Sequence, residues 1–139
     1  MLVTDTNILQ RVSRGRAMRH VAALARRGAR LATTDRNALE LRRNLVSVLG
    51  LTEAEATVEL ERVLAPFELI PTDAYDYRRA DADARLREGG KADWPALAAA
   101  LAFEGDIWSE DVDFFGVGVP VWSTNNVHLI EPEQDITNG

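Results

Sequence analysis

The chain opens with LVTDTNIL at residues 2–9, and this stretch decides how the fold is interpreted. Its first three residues form a short apolar run that stops at Asp5, which is typical of a buried strand, and a helix is predicted from Asn7. At least one predicted helical segment follows each of the first three predicted strands. We therefore predict an α/β fold, a three-layer α/β/α sandwich around a mainly parallel sheet of about 4–5 strands. The further strand-like runs lie at residues 30–33, 67–70, 107–108 and 119–122.

Capping residues set the predicted bounds of the helices. The sequence TEAE at residues 52–55 is a capping box, and Thr34 or Asp35 can cap the helix before it. That earlier helix is expected to bury Leu39, Leu41, Leu45, Val48 and Leu49 on one face. No repeat or linker interrupts the chain, so a single domain over residues 1–139 is expected. The predicted helices after the first cover residues 16–27, 35–49, 52–64, 73–88 and 96–103.

Composition excludes several classes of protein. The chain has 139 residues and no cysteine, which excludes disulfides, thiolate chemistry and the usual zinc sites. No apolar run approaches the ~18 residues of a membrane span, and no secretory signal is visible. We therefore expect a cytoplasmic protein without a membrane partner.

The net charge of −6 hides an asymmetry. Residues 1–45 carry ten arginines against three acids, a balance of +7, whereas the rest of the chain carries six basic and nineteen acidic side chains, a balance of −13. A polyanion could bind the basic part, because the local field matters more than the total charge. A solvated basic helix surface would explain the same pattern. The arginines nearest the Asp5 end are the candidates for phosphate contacts: Arg11, Arg14 and Arg16.

Acidic residues follow or begin the predicted elements. Each has an ordinary explanation: Asp5 and Asp93 could cap helices, Asp111 and Asp113 could be turn residues, and Glu40 could be a solvated helix residue. Taken together, the acids indicate a shared site, because the carboxyl ends of parallel strands lie at one edge of the sheet. Clustered carboxylates repel unless protons or cations neutralise them. Oxygen ligands alone favour Mg²⁺ or Mn²⁺, which can lower the pKa of a water and stabilise charge on a phosphodiester.

Three motifs together resemble the PIN domain family. They are VTDTNIL at residues 3–9, Asp93 before an alanine-rich helix, and IWSEDVDF at residues 107–114, with an acid in the third helix between them. The match in order and spacing runs from residue 2 to about residue 125. Trp94 and Pro95 are bulkier than the residues common beside the third acid of the family's toxins.

The resemblance implies a site and an activity. The family fold is a parallel sheet flanked by helices, and its members are mostly Mg²⁺- or Mn²⁺-dependent ribonucleases, which hydrolyse RNA phosphodiester bonds. Asp35 is a rival to Glu40 for the helical acid; Glu40 has the family's spacing from the preceding strand. Asn7 and Ser109 match positions that support the acids or an attacking water. By position, the catalytic acids are Asp5, Glu40, Asp93 and Asp111, and the metal ligands are these four with Asp113.

The resemblance also implies partners. Several family members are toxins of toxin–antitoxin pairs, so an antitoxin protein that covers the site and a homodimer are candidate partners besides RNA. The alternative function is a catalytically silent PIN fold that binds RNA or protein. That alternative is favoured if the acids are dispersed in space or if no metal binds.

Overall fold

The computed structural model describes residues 1–131 and contains one parallel sheet of five strands. All four neighbouring strand pairs are parallel, which confirms the predicted α/β fold with a mainly parallel sheet. The strand order is β3-β2-β1-β4-β5. The strands are β1 (Leu2–Thr4), β2 (Leu31–Thr34), β3 (Glu68–Ile70), β4 (Asp106–Trp108) and β5 (Val121–Trp122).

Helices cover both faces of the sheet and give three layers. Side chains alternate along a strand, so Leu2 packs into the core on one face while Val3 packs into the core on the other. The first core includes residues of four helices: α1 (Thr6–Ser13), α2 (Met18–Arg26), α3 (Asp35–Ser47) and α4 (Glu53–Leu64). The second core includes residues of the other two: α5 (Arg79–Arg85) and α6 (Trp94–Phe103). Within residues 1–131, no helix has both the length and the apolar composition to cross a bilayer.

The alanine-rich α6 packs closely against the sheet. Residues 96–100 are almost completely inaccessible to solvent, and four of these five are alanines, whose small side chains allow the helix to approach β1 and β4. The chain leaves α6 through Glu104 in the left-handed conformation (φ 53°). A Cβ at Gly105 would lie 2.7 Å from the carbonyl oxygen of Met1, so only glycine allows this direct turn into β4.

Side-chain caps begin two of the helices as the sequence predicts. The hydroxyl of Thr34 accepts a hydrogen bond from the amide of Asn37 at 3.0 Å and caps α3. The capping box at α4 is also present: the Glu55 amide donates to the Thr52 hydroxyl at 3.1 Å, and the Thr52 amide donates to the Glu55 carboxylate at 3.0 Å. Local sequence therefore sets where these helices begin.

The helix predicted at residues 73–88 is wrong over its first half. Two 3-10 turns, Thr72–Ala74 and Asp76–Arg78, precede the short α5. The turns place Tyr75 in the core, where its hydroxyl donates to the carboxylate of Asp35, and Asp35 also accepts from the amide and hydroxyl of Thr72. A regular helix would not allow these tertiary hydrogen bonds.

The apolar face predicted for α3 is also partly wrong. Leu41 and Leu45 are buried, but Leu39, Val48 and Leu49 are 48%, 69% and 49% exposed. The helix ends at Ser47, so the last two residues of the predicted face lie beyond it.

The capping box allows a direct stability test. Replacing Thr52 with alanine should lower the free energy of unfolding by about 1 kcal/mol, because the Glu55 amide loses its acceptor. Urea denaturation would measure this loss. Thr52→Ser keeps the hydroxyl and should stay close to the parent. Equal losses in the two variants would show that the cap contributes nothing.

Candidate metal centre

Asp5 links the ends of the two central strands. The register of β1 and β4 pairs Thr4 with Trp108, so Asp5 and Ser109 follow side by side. One carboxylate oxygen of Asp5 accepts from the amide of Ile8 at 3.2 Å and caps α1, and the other accepts from the hydroxyl of Ser109. Burial raises the pKa of Asp5 to about 6, although both hydrogen bonds act in the opposite direction. The N-cap explanation and a place in the acidic set therefore both hold for Asp5.

Hydrogen bonds fix the loop that follows β4. The Ser109 oxygen accepts from the amide of Asp111 at 2.9 Å while its hydroxyl donates to Asp5. Asp111 in turn accepts from the amide of Asp113 at 2.9 Å and so begins a 3-10 turn. The turn is anchored by Phe114, which is completely buried. Alternate residues of the motif at 109–113 are thus connected, and the turn itself sets the two aspartates beside each other.

Asp93 completes a cluster of three carboxylates. One oxygen from each of Asp93, Asp111 and Asp113 lies within 4.8 Å of the others. Asp93 precedes α6, yet its side chain makes no capping hydrogen bond, so helix capping does not explain this residue. Burial, and then the charge of Asp111, raises the pKa of Asp93 to about 7. The cluster therefore favours the binding of a proton or a cation.

A small polar cavity of about 30 Å³ lies beside this cluster, and Glu40 lines it. The Glu40 carboxylate accepts from the hydroxyl of Thr6 at 3.2 Å, and Thr6 accepts from the side-chain amide of Asn37 at 2.9 Å. Thr6 and Asn37 were not singled out from the sequence, because neither belongs to a recognisable charge pattern. Lining residues are Asp5, Thr6, Asn7, Asn37, Glu40, Ala92, Asp93, Ala96 and Phe114.

Asp35, the rival for the helical acid, does not line this cavity. Its carboxylate instead accepts hydrogen bonds from Thr72 and Tyr75 at the other side of the α3 N-terminus. Burial alone would raise the pKa of Asp35, but these hydrogen bonds outweigh burial and lower it. The geometry thus places Glu40, and not Asp35, at the acidic cavity.

The three arginines proposed for substrate binding do not line the acidic cavity. Arg11 lies in the last turn of α1 and Arg14 just after it, at the far end from Asp5, and the eight residues of this helix span roughly 12 Å. Arg14 lines a separate groove of about 150 Å³ that includes Leu41 and Leu45. Arg16 follows α1, farther along the chain.

Two residues that the sequence did not reveal surround Asp113. The guanidinium of Arg87 forms an ion pair with its carboxylate, and the Arg87 side chain is itself 65% exposed. A Cβ at Gly90 would lie 2.8 Å from Cγ of Asp113, which is closer than real atoms approach. Gly89 and Gly90 read only as the end of a helix in the sequence. Both glycines are far from Asp113 in the sequence, so no local sequence pattern indicates this contact.

The donor set fits a hard divalent cation. All the clustered ligand atoms are carboxylate oxygens, the donors that Mg²⁺ and Mn²⁺ prefer. Burial and the neighbouring charge of Asp111, which together raise the pKa of Asp93, both disfavour a bare carboxylate here, and a bound cation would offset both. Asp93, Asp111 and Asp113 would hold the ion, with Asp5 hydrogen-bonded to the same loop.

Comparisons with known proteins agree with this architecture. A family model described as PIN domain matches residues 3–131. The VapBC2 structure from Rickettsia felis, bound to a DNA fragment from its promoter, is similar with a TM-score of 0.67 and 16% identity, over 88% of this chain and 97% of that one. PAE2754 from Pyrobaculum aerophilum gives a TM-score of 0.65 and 16% identity, over 92% and 86% of the two chains. At these identities the structures show a shared fold. No curated protein sequence matches.

The raised pKa of Asp93 predicts how stability depends on pH without metal. The folded protein keeps a proton on Asp93 up to a pH of about 7, whereas the unfolded chain releases it near pH 4. The free energy of unfolding should therefore fall as the pH rises from 4 to 7. Asp93→Asn should flatten this fall and be more stable than the parent at pH 8.

Thermal melts in EDTA across this pH range would measure the effect. Asp73→Asn removes the same charge from an exposed 3-10 turn outside the cluster, and it should keep the slope of the parent. An unchanged slope in Asp93→Asn would show that Asp93 does not hold its proton up to neutral pH in the folded protein.

Proposed function

The chain belongs to the PIN domain family, and on that basis we propose that it is a Mg²⁺- or Mn²⁺-dependent endoribonuclease that hydrolyses RNA phosphodiester bonds. The observation that carries the proposal is the meeting of Asp93, Asp111 and Asp113 within 4.8 Å. Asp93 begins α6, whereas Asp111 and Asp113 lie in the loop and the 3-10 turn that follow β4, so the fold brings carboxylates of separate elements together. Their convergence is what a cation site requires.

The acids have separate tasks in this proposal. Asp93, Asp111 and Asp113 would hold the ion, and a bound ion would supply positive charge to a phosphate oxygen and lower the pKa of a nearby water. Asp5 is fixed by Ile8 and Ser109, so its hydrogen bond to Ser109 keeps the Asp111 loop beside β1. Loss of Asp5 would therefore move the loop as well as remove a charge.

Glu40 and Asn7 face the cavity from the other side. Thr6 holds the Glu40 carboxylate, and both polar side chains line the space next to Asp93. Here the Glu40 carboxylate can accept a proton from water, and the Asn7 amide can orient that water toward a phosphate by a hydrogen bond. Glu40 is the exposed member of the acidic set, so its carboxylate stays accessible to solvent.

The proposal extends to a biological role as the toxin of a toxin–antitoxin pair. What supports this is the shared fold with a chain of the VapBC2 structure from Rickettsia felis. The partner would be an antitoxin protein that covers the acidic cavity. A homodimer, a cytoplasmic location and a single domain over residues 1–139 stay predictions.

Cleavage of labelled single-stranded RNA tests the enzyme. Mn²⁺ or Mg²⁺ should support cleavage and EDTA should stop it. Asp93→Asn should reduce the rate by at least about 100-fold, because the ion loses one of its ligands. Asp73→Asn is the control for a lost charge and should cleave normally. Cleavage that survives in both EDTA and Asp93→Asn would point to a contaminant, and no cleavage by the parent would favour a silent RNA- or protein-binding module.

Gly90 allows a test of the metal site without any change of a ligand. Gly90→Ala should weaken Mn²⁺ binding by about tenfold, because the new Cβ displaces the Asp113 carboxylate. Isothermal titration calorimetry measures the affinity directly. Gly89→Ala is a matched control, since a Cβ there meets nothing within 4 Å. Equal affinities in the two variants would show that the position of Asp113 does not matter to the ion.

A further inference from the structure

A groove of about 430 Å³ lies along α3 beside the acidic cavity. The groove and the cavity share three lining residues, Asn37, Glu40 and Ala92, so the two are direct neighbours. Its floor and walls come from α3 and from the first residues of α6. We call it the α3 groove, and its lining residues are Arg36, Asn37, Leu39, Glu40, Arg43, Ala92, Trp94 and Pro95.

Two exposed arginines line the α3 groove. Arg36 and Arg43 are seven residues apart on one helix, which places them on the same side about two turns, or roughly 10 Å, from each other. Other arginines near the site have carboxylate partners, as Arg87 has in Asp113. Among the residues that the structure describes, neither Arg36 nor Arg43 forms an ion pair or a hydrogen bond through its guanidinium. Their donors are therefore available to a ligand.

Trp94 orients the first of these arginines. The Cζ atom of Arg36 lies 5.2 Å from the centroid of the Trp94 ring, and Cζ of Arg79 lies 4.3 Å from it. A cation–π contact uses the face of the guanidinium and leaves its N–H donors free. Trp94 is only 6% exposed and is held from below by Tyr75, so it is a rigid support and not a surface for stacking bases. Trp94, the bulky residue beside Asp93, therefore contributes to the position of the Arg36 guanidinium.

We propose that the α3 groove binds the phosphate backbone of the RNA strand on one side of the cleaved bond. Arg36 and Arg43 contact the phosphates, and Trp94 is a positioning residue for Arg36. The location of the cleaved bond rests on the proposed nuclease function, but the binding surface does not. A polyanion that approaches this acidic edge is repelled by the carboxylates, so cations with free donors must lie next to them. The α3 groove is where the structure places such cations.

The test measures binding separately from cleavage. A fluorescein-labelled single-stranded RNA is titrated with protein in Mg²⁺ by fluorescence anisotropy, in an Asp93→Asn background that prevents turnover. Replacing Arg36 and Arg43 together with glutamine should weaken binding about tenfold and reduce the slope of log affinity against log salt by about 1.4, the value for two lost phosphate contacts on a single strand.

The matched control removes the same charge from two exposed arginines that are also seven residues apart on one helix, α2. Arg19→Gln with Arg26→Gln should change affinity by less than about twofold, because neither residue lines the cavity or the groove. Equal losses in the two pairs would overturn the proposal, since they would show an effect of net charge alone. So would unchanged binding by the Arg36 and Arg43 pair.

Trp94 is tested by a double-mutant cycle. Trp94→Leu should weaken RNA binding in the parent but add nothing once Arg36 is glutamine, whereas Trp94→Phe, which keeps an aromatic face, should retain most of the affinity. A purely structural role would give additive losses and would remove Trp94 from the proposal. If the protein is not a nuclease, the RNA cleavage assay shows it, because the parent then gives no metal-dependent cleavage. The binding comparisons do not depend on that result.

Discussion

The parallel register between β1 and β4 is the constraint on which the rest of the site depends. Because Thr4 pairs with Trp108, the residues that leave the two strands are neighbours, and the Ser109 hydroxyl reaches the Asp5 carboxylate. The amide of Asp111 then donates to the Ser109 side chain, and the amide of Asp113 donates to the Asp111 carboxylate, so the same order extends through the loop. A shift of the register by one residue would turn these side chains to the opposite face and break the connection. The pairing of β1 with β4 therefore determines where the carboxylate cluster lies.

The scaffold around the acids compensates for the repulsion between them. Behind the loop, Phe114 and the alanines of α6 bury apolar surface. This burial stabilises the fold against the repulsion between the carboxylates. Arg87 offsets the charge of Asp113 from the solvent side. Because α6 approaches the sheet so closely, Asp93 at its start is brought against the strand ends. Apolar packing therefore holds α6 against the sheet, whereas the repulsion between Asp93 and the carboxylates of the loop opposes this position.

Local signals account for the parts of the structure that were predicted correctly. Strands that end in polar residues and the capping box at Thr52 act within a few residues, so the sequence alone identifies them. The failures involve contacts between distant residues. Tyr75 breaks the regularity of a predicted helix because Asp35 lies across from it, and Gly90 meets Asp113 only in the folded chain. The arginines near Asp5 in sequence lie elsewhere because α1 carries the chain away from the strand end.

The hydrogen bond between Ser109 and Asp5 joins residues 104 positions apart. Contacts of such long range form late, and during synthesis β1 has no β4 to pair with until residues 106–108 have left the ribosome. A product interrupted before residue 111 contains Asp5, Glu40 and Asp93 but lacks two of the three carboxylates that meet in the cluster. A nascent chain that stops there therefore has no assembled cluster. The order of elements along the chain delays assembly of the cluster until β4 and the loop after it have been made.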